Sequence, residues 1–254
     1  VLRYSRSGSG APTLLLIPGV LCTQRLWDRA RPLLEHFHDV ITVDLPGVAG
    51  GDLPDGAVGL TDYADLVCEV LDAEGVERCA WVGHSLGGYV LAAALEDHAG
   101  RISHAVLAYS TPAADDDKAR AGREKGIAMV RQDGVAEYAR RQMPKTFRGD
   151  ARAQDVGAAL RQAGDWPAAA VVRTLAAMRD RPDRTRLLLE HTELPVLLVQ
   201  GDDDPAVDAL DPQERHVTRI VTDTAHMGVL TDPHTFAGIV HGWIADEIER
   251  DARD

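Results

Sequence analysis

A serine held between glycines at a strand-to-helix junction can act as a nucleophile, and Gly83-His84-Ser85-Leu86-Gly87-Gly88 has that form. It separates the buried apolar run Cys79-Ala80-Trp81-Val82 from the small and apolar Tyr89-Val90-Leu91-Ala92-Ala93-Ala94-Leu95. In a Gly-x-Ser-x-Gly turn the serine tops a strained corner, and the flanking glycines let strand and helix approach without Cβ clashes. The helix that follows aims its positive end and the Leu86 N–H at the charge that develops on an attacked carbonyl. Such a serine needs a base and an acid. In this kind of site they follow in the order Ser, Asp or Glu, His, each on a loop after a strand. Leu194 to Gln200 reads as a buried strand running into Gly201-Asp202-Asp203-Asp204-Pro205, and Thr218 to Val221 as another running into Asp223-Thr224-Ala225-His226-Met227-Gly228. Three strand ends therefore carry Ser, Asp and His.

The elements around these loops read as a parallel α/β sheet. Leu14 to Ile17, Val40 to Val43, Ala80 to Val82, Ala105 to Tyr109, Val196 to Val199 and Arg219 to Val221 are short apolar runs bounded by Gly, Pro, Asp or Ser, as strands buried on both faces should be. Helical patterns separate most of them. In one, Tyr63, Leu66, Val67, Val70 and Leu71 share a face, with Thr61 or Asp62 as the expected cap and Gly75 as the stop. This alternation predicts a doubly wound sheet with helices on both faces. From about Pro112 to His191 the alternation stops. Four helical patterns follow one another there, punctuated by Gly134, Pro144, Pro167 and Pro182.

These residues resemble the α/β-hydrolase superfamily, and within it the compact, lidded serine esterases and enol-lactone hydrolases. Leu14 to Val20 followed by Trp27 is similar to that family's first central strand and oxyanion loop, and Val43-Asp44-Leu45-Pro46-Gly47 to the strand end and turn that come next. The resemblance implies an α/β-hydrolase fold with an all-helical cap inserted after the sixth strand: core 1–111 and 192–254, cap 112–191. It implies Ser85 as nucleophile, His226 as base and Asp204 as acid, with the backbone N–H groups of Val20 and Leu86 as oxyanion hole. Two departures stand out. Pro18 occupies the position of the usual His, and Pro46 to Gly51 replaces a Pro-Gly-x-Gly-x-Ser continuation. Because main-chain N–H groups bind the oxyanion, Pro18 leaves the hole in place and changes what anchors its loop.

Composition narrows the function classes. The 254 residues suit one large α/β domain with an insertion, and 45% hydrophobic with 26% charged residues is ordinary for a globular protein. Lys and Arg number 27 against 40 Asp and Glu, and a net charge of −13 disfavours nucleic acid and anionic membranes as partners. Cys22, Cys68 and Cys79 have neither disulfide-framework nor metal-site spacing, so a reducing, cytoplasmic location is expected, with no metal and no organic cofactor. The first ten residues lack a secretory leader pattern.

Within the expected cap, Met129, Met143, Phe147 and Trp166 are candidates to wall an acyl or lactone pocket. Asp115-Asp116-Asp117 reads as negative charge for the first cap helix, Asp202 and Asp203 as solvated neighbours of the acid, and the nine histidines other than His226 as surface or capping residues, with His84 pointing away from the elbow. The chemistry implied is acyl transfer from a small-molecule ester, lactone or thioester. The same residues also serve natural-product cyclases, lyases and carbon–carbon hydrolases. A ligand receptor or scaffold that keeps the pocket is the reading from another class. A thioesterase acting on a carrier protein is a further one, for which Arg120, Arg123, Lys125, Arg131, Arg140, Arg141 and Lys145 would form a basic mouth.

Overall fold

The computed structural model describes residues 1–51, 53, 59–207, 210 and 213–253. Its strands are β1 (Tyr4–Gly8), β2 (Leu14–Ile17), β3 (Asp39–Val43), β4 (Cys79–His84), β5 (Ile102–Ala108), β6 (Val196–Gly201) and β7 (Val217–Thr222). They form one sheet in the order β1-β3-β2-β4-β5-β6-β7. Only β1 runs antiparallel, pairing Tyr4 with Val43 and Gly8 with Asp39. β2, β3 and β4 are buried throughout, which is why their sequences are continuous rather than alternating.

Helices α1 (Arg31–Leu34), α2 (Leu60–Ala73) and α3 (Leu86–Asp97) occur before β5. α2 begins earlier than its expected caps. Gly59 is its N-cap, and Asp62 sits inside the first turn with its carboxylate accepting the Gly59 N–H at 2.6 Å. Gly75, at φ +65°, follows the end of α2 as expected. Between β5 and β6 lie α4 (Asp117–Asp133), α5 (Val135–Gln142), α6 (Ala153–Ala163), α7 (Ala168–Asp180) and α8 (Thr185–Glu190), with no strand among the described residues. This insertion follows the fifth strand present in the chain, the one that the resemblance counts as sixth. α4 packs on α7 and α5, α5 on α6, and α8 returns to α3. α9 (Gly228–Thr231) and α10 (Pro233–Asp251) complete the fold. Among the described residues no helix is long and apolar enough to cross a membrane.

Candidate active site

Ser85 joins β4 to α3 in a conformation, φ 50° and ψ −113°, that a side-chain-bearing residue rarely adopts. The turn closes only because Gly83 and Gly87 lack Cβ atoms: one at Gly83 would collide with the Gly87 backbone, and one at Gly87 with the Ile17 carbonyl. The Ser85 N–H donates to the Ala108 carbonyl at 3.0 Å, and the Ser110 hydroxyl donates to the Ser85 carbonyl at 2.7 Å. Ser110 therefore buttresses the elbow from beneath. Tyr109 is buried too, its hydroxyl hydrogen-bonded to Thr222 at 3.1 Å and Thr224 at 3.2 Å.

The loops after β6 and β7 converge on this serine. Asp202 N–H donates to the Thr222 carbonyl and Asp203 N–H to the Thr224 carbonyl, at 3.0 and 3.3 Å, so the two loops are laced together. The Asp204 carboxylate, 4% exposed, lies 2.9 Å and 3.1 Å from His226 Nδ1. A carboxylate can only accept, so Nδ1 carries the ring proton and Nε2 is free to accept from Ser85, whose Oγ is 2.9 Å away. The structure thus brings Ser85, His226 and Asp204 into one hydrogen-bonded line. Asp202 and Asp203 point elsewhere: Arg148, from the segment between α5 and α6, pairs with Asp202 at 2.6 Å, Asp223 at 2.5 Å and Asp203 at 3.7 Å.

Val20 and Leu86 flank the serine, and among the described residues neither N–H donates to a protein acceptor. The loop carrying Val20 has an anchor in place of the usual His. Trp166 Nε1 donates to the Cys22 carbonyl at 2.9 Å, and Thr23 N–H donates to Gln162 Oε1 at 2.9 Å. The inserted helical segment therefore holds this loop, while Leu21 at φ +62° makes its sharp bend. Asp44 supports the same region, accepting from the Gln24 N–H at 2.7 Å.

A cavity of about 320 Å³, at the small end for small-molecule sites, opens over Ser85, His226 and Val20. Of the four pocket candidates only Met143 lines it. Trp166 is spent on the Cys22 carbonyl, Phe147 lines a neighbouring cleft beside Arg148 and Asp223, and Met129 is a half-buried residue on α4 outside the cavity. Tyr89, Tyr138 and Met178 are walls that sequence reasoning missed, while Arg123 and Lys145 of the expected basic mouth do line the cavity. Tyr138 and Met178 fall on the buried faces of α5 and α7, a signal that helical periodicity could have supplied.

Three histidines depart from the surface reading. His38, His84 and His104 are all buried. His84 faces the site: it lines the cavity, and its Nε2–H donates to the His226 carbonyl at 3.0 Å. Burial, reinforced by repulsion from His226, pulls the pKa of His84 down to about 3, so its ring is neutral. Cys22 also lines the cavity, and burial pushes its thiol up to about 12, which leaves it an apolar wall group. All three cysteines are free and buried.

The acidic run divides. Asp116 caps α4 by accepting the Ala119 N–H at 2.7 Å, whereas Asp115 turns inward to pair with Arg181 at 2.5 Å and Arg123 at 3.0 Å. Burial opposes the charge of Arg123, but Tyr89 and the hydrogen bond to Asp115 hold its pKa above the ordinary value. The expected basic mouth is correspondingly reduced: Arg140 and Arg141 both pair with Glu137, and Arg120 lies 3.8 Å from Asp180.

Residues 14–239 match the sequence model of the alpha/beta hydrolase family. The chain belongs to that family. It is an enzyme of the hydrolase class. Among curated proteins it is 29% identical to a pimeloyl-(acyl-carrier protein) methyl ester esterase from Edwardsiella ictaluri, over 92% of this chain and 94% of that one. Among solved structures, a thermophilic esterase from Thermogutta terrifontis superposes with a TM-score of 0.88 at 21% identity, covering 96% of this chain and 93% of the other. The enol-lactonase from Burkholderia xenovorans LB400 superposes with a TM-score of 0.84 at 18% identity, covering 96% of each chain.

Proposed function

We propose that this hydrolase is a serine hydrolase that opens an ester, lactone or thioester of a small molecule through an acyl-Ser85 intermediate. One observation carries the reading: the unbroken line from Asp204 through His226 to Ser85 ends at the floor of a cavity sized for a small molecule. In this mechanism His226 Nε2 takes the hydroxyl proton as Ser85 Oγ attacks the carbonyl carbon. The oxyanion is held by the N–H groups of Val20 and Leu86, and Asp204 stabilises the imidazolium and keeps its tautomer. His226 then returns the proton to the leaving alkoxide or thiolate. It next takes a proton from water as the water oxygen attacks the acyl carbonyl, and gives that proton to Ser85 Oγ as the acyl C–O bond breaks, releasing the acid and free Ser85. Residues 112–191 act as a cap over a core of residues 1–111 and 192–254, and the three free cysteines support a cytoplasmic location. An acyl ester borne on a carrier protein is a second form of the same substrate, favoured by the ester named for the Edwardsiella relative and by Lys145 on the cavity wall.

The test is mass spectrometry after incubation with p-nitrophenyl acetate and with a serine-directed phosphonate. The expected result is a single adduct on Ser85. Ser85→Ala should abolish it and lower ester turnover by several orders of magnitude, on the order of 10⁴ or more. Turnover that survives in pure Ser85→Ala would overturn the acyl-serine route.

A further inference from the structure

The cavity over Ser85 has the opposite electrical character to the chain that forms it. The protein carries 40 acidic residues against 27 basic, yet among the described lining residues there are two cations, Arg123 and Lys145, and no Asp or Glu. Lys145 is a mouth residue whose ammonium donates to Gln142 at 3.1 Å. Arg123 lies deeper, on α4, with its side chain 23% exposed.

Arg123 shares its carboxylate partner. Asp115 is the carboxylate paired with it, and Asp115 is shared: one oxygen takes Arg123 Nε and the other takes Arg181. Arg181 has further partners of its own. It also donates to the Ala113 carbonyl at 2.9 Å and the Met178 carbonyl at 2.7 Å, and its guanidinium lies 3.9 Å over the Tyr89 ring. Among the described residues Asp115 is thus the one carboxylate hydrogen-bonded to either guanidinium, while Asp183 also feels the charge of Arg181. The two Nη groups of Arg123 donate to no protein acceptor among the described residues. The half-buried Arg123 therefore presents two unpaired Nη groups at the cavity wall, and a planar fork of two donors matches one carboxylate.

We propose that Arg123 is a specificity-determining residue that binds a free carboxylate on the substrate, so that the preferred substrates are half-esters of dicarboxylic acids, with the ester carbonyl at Ser85 and the far carboxylate at Arg123. This rests on the acyl-serine reading. The free Nη pair of Arg123 matches one carboxylate, whereas a phosphate dianion would bring a second charge that only the mouth residue Lys145 could meet.

The experiment compares kcat/KM for mono-p-nitrophenyl glutarate with that for its neutral isostere, p-nitrophenyl 5-methylhexanoate. The parent should prefer the half-ester. Arg123→Gln should cut that ratio on the order of 10- to 100-fold, mainly through KM, with Arg123→Lys in between because it keeps the charge and loses the fork. Arg120→Gln, a surface change on the same helix, should leave the ratio alone. An unchanged ratio in Arg123→Gln, an equal loss on both esters, or a parent that prefers the neutral ester would each overturn the assignment while leaving the serine mechanism standing. If the parent turns over neither ester, the mechanism itself fails. Thermal-shift binding of glutarate then decides Arg123 separately: stabilisation of the parent and not of Arg123→Gln supports it, and equal shifts or none overturn it.

Discussion

Replacing His84 by glutamine measures what a buried neutral imidazole does to the acid stability of this enzyme. The His84 side chain donates Nε2–H to the His226 carbonyl, while its Nδ1 is buried without a partner. Its pKa falls from 6.5 to about 3 on folding, first because burial removes water from the charged form and then because of His226. Above pH 6.5 neither the folded nor the unfolded chain protonates this ring. Below it the unfolded chain takes up a proton that the folded one refuses, so stability drops as pH falls from 6.5 towards 3, by up to about 1.4 kcal/mol per pH unit. At pH 5 the loss from this one residue is about 2 kcal/mol. Burial lowers the pKa of His38 and His104 as well, which adds acid sensitivity in the same direction to parent and variant alike. His84→Gln should therefore be less stable than the parent at pH 7 by about 1 kcal/mol, for the altered hydrogen bond, and should lose about 2 kcal/mol less than the parent between pH 7 and pH 5. Urea unfolding midpoints and slopes for both proteins at the two pH values measure the difference. Parallel losses in parent and variant would show that His84 titrates alike folded and unfolded, and would refute the argument from burial.

The acid and the oxyanion loop give two more tests. Asp204→Asn should lower kcat on the order of 10³ to 10⁴ because His226 loses control of its tautomer, whereas Asp202→Asn and Asp203→Asn, which loosen solvent-facing pairs with Arg148, should cost a few-fold at most; pre-steady-state ester kinetics reads all three, and a crippling Asp203→Asn would reassign the acid. Trp166→Phe removes the donor to the Cys22 carbonyl, so it should cost about 1 to 3 kcal/mol in stability and about tenfold in kcat as the Val20 loop loosens. An unchanged kcat in a destabilised variant would separate that loop from the segment that carries Trp166.

How much of this was legible in the sequence depends on where each cause lies along the chain. Strands β2 to β6 announce themselves through apolar stretches between turn residues, and the Leu14 to Ile17 reading matches β2 at both ends, whereas the edge strand β7 is half polar and little buried. β1 does not announce itself, since Tyr4-Ser5-Arg6-Ser7-Gly8 buries no full face and is held by pairing with β3 at the sheet edge. Ser85 is legible for a backbone reason: the corner demands glycines at 83 and 87, and glycines can be read directly. The Asp204 register is less so, because three adjacent aspartates look alike until the loop after β7 packs beside them and His226 selects one.

The cavity wall is of another kind. In α4, Arg123 is one of many charged residues on a polar helix, and a local pattern assigns such a residue to solvent. It reaches the cavity wall because its Nε meets Asp115, which Arg181 from the far end of the inserted helices also holds. His84 went astray for the same reason, since its burial comes from the His226 loop closing over it from the far side of the sheet. Local sequence encodes the strained corner at Ser85, because conformation is a property of neighbouring residues. The charge that lines the cavity beside Ser85 is set by partners distant in the chain, so a substitution at Asp115 should reset the electrostatics of the cavity without touching any residue of the Ser85–His226–Asp204 line.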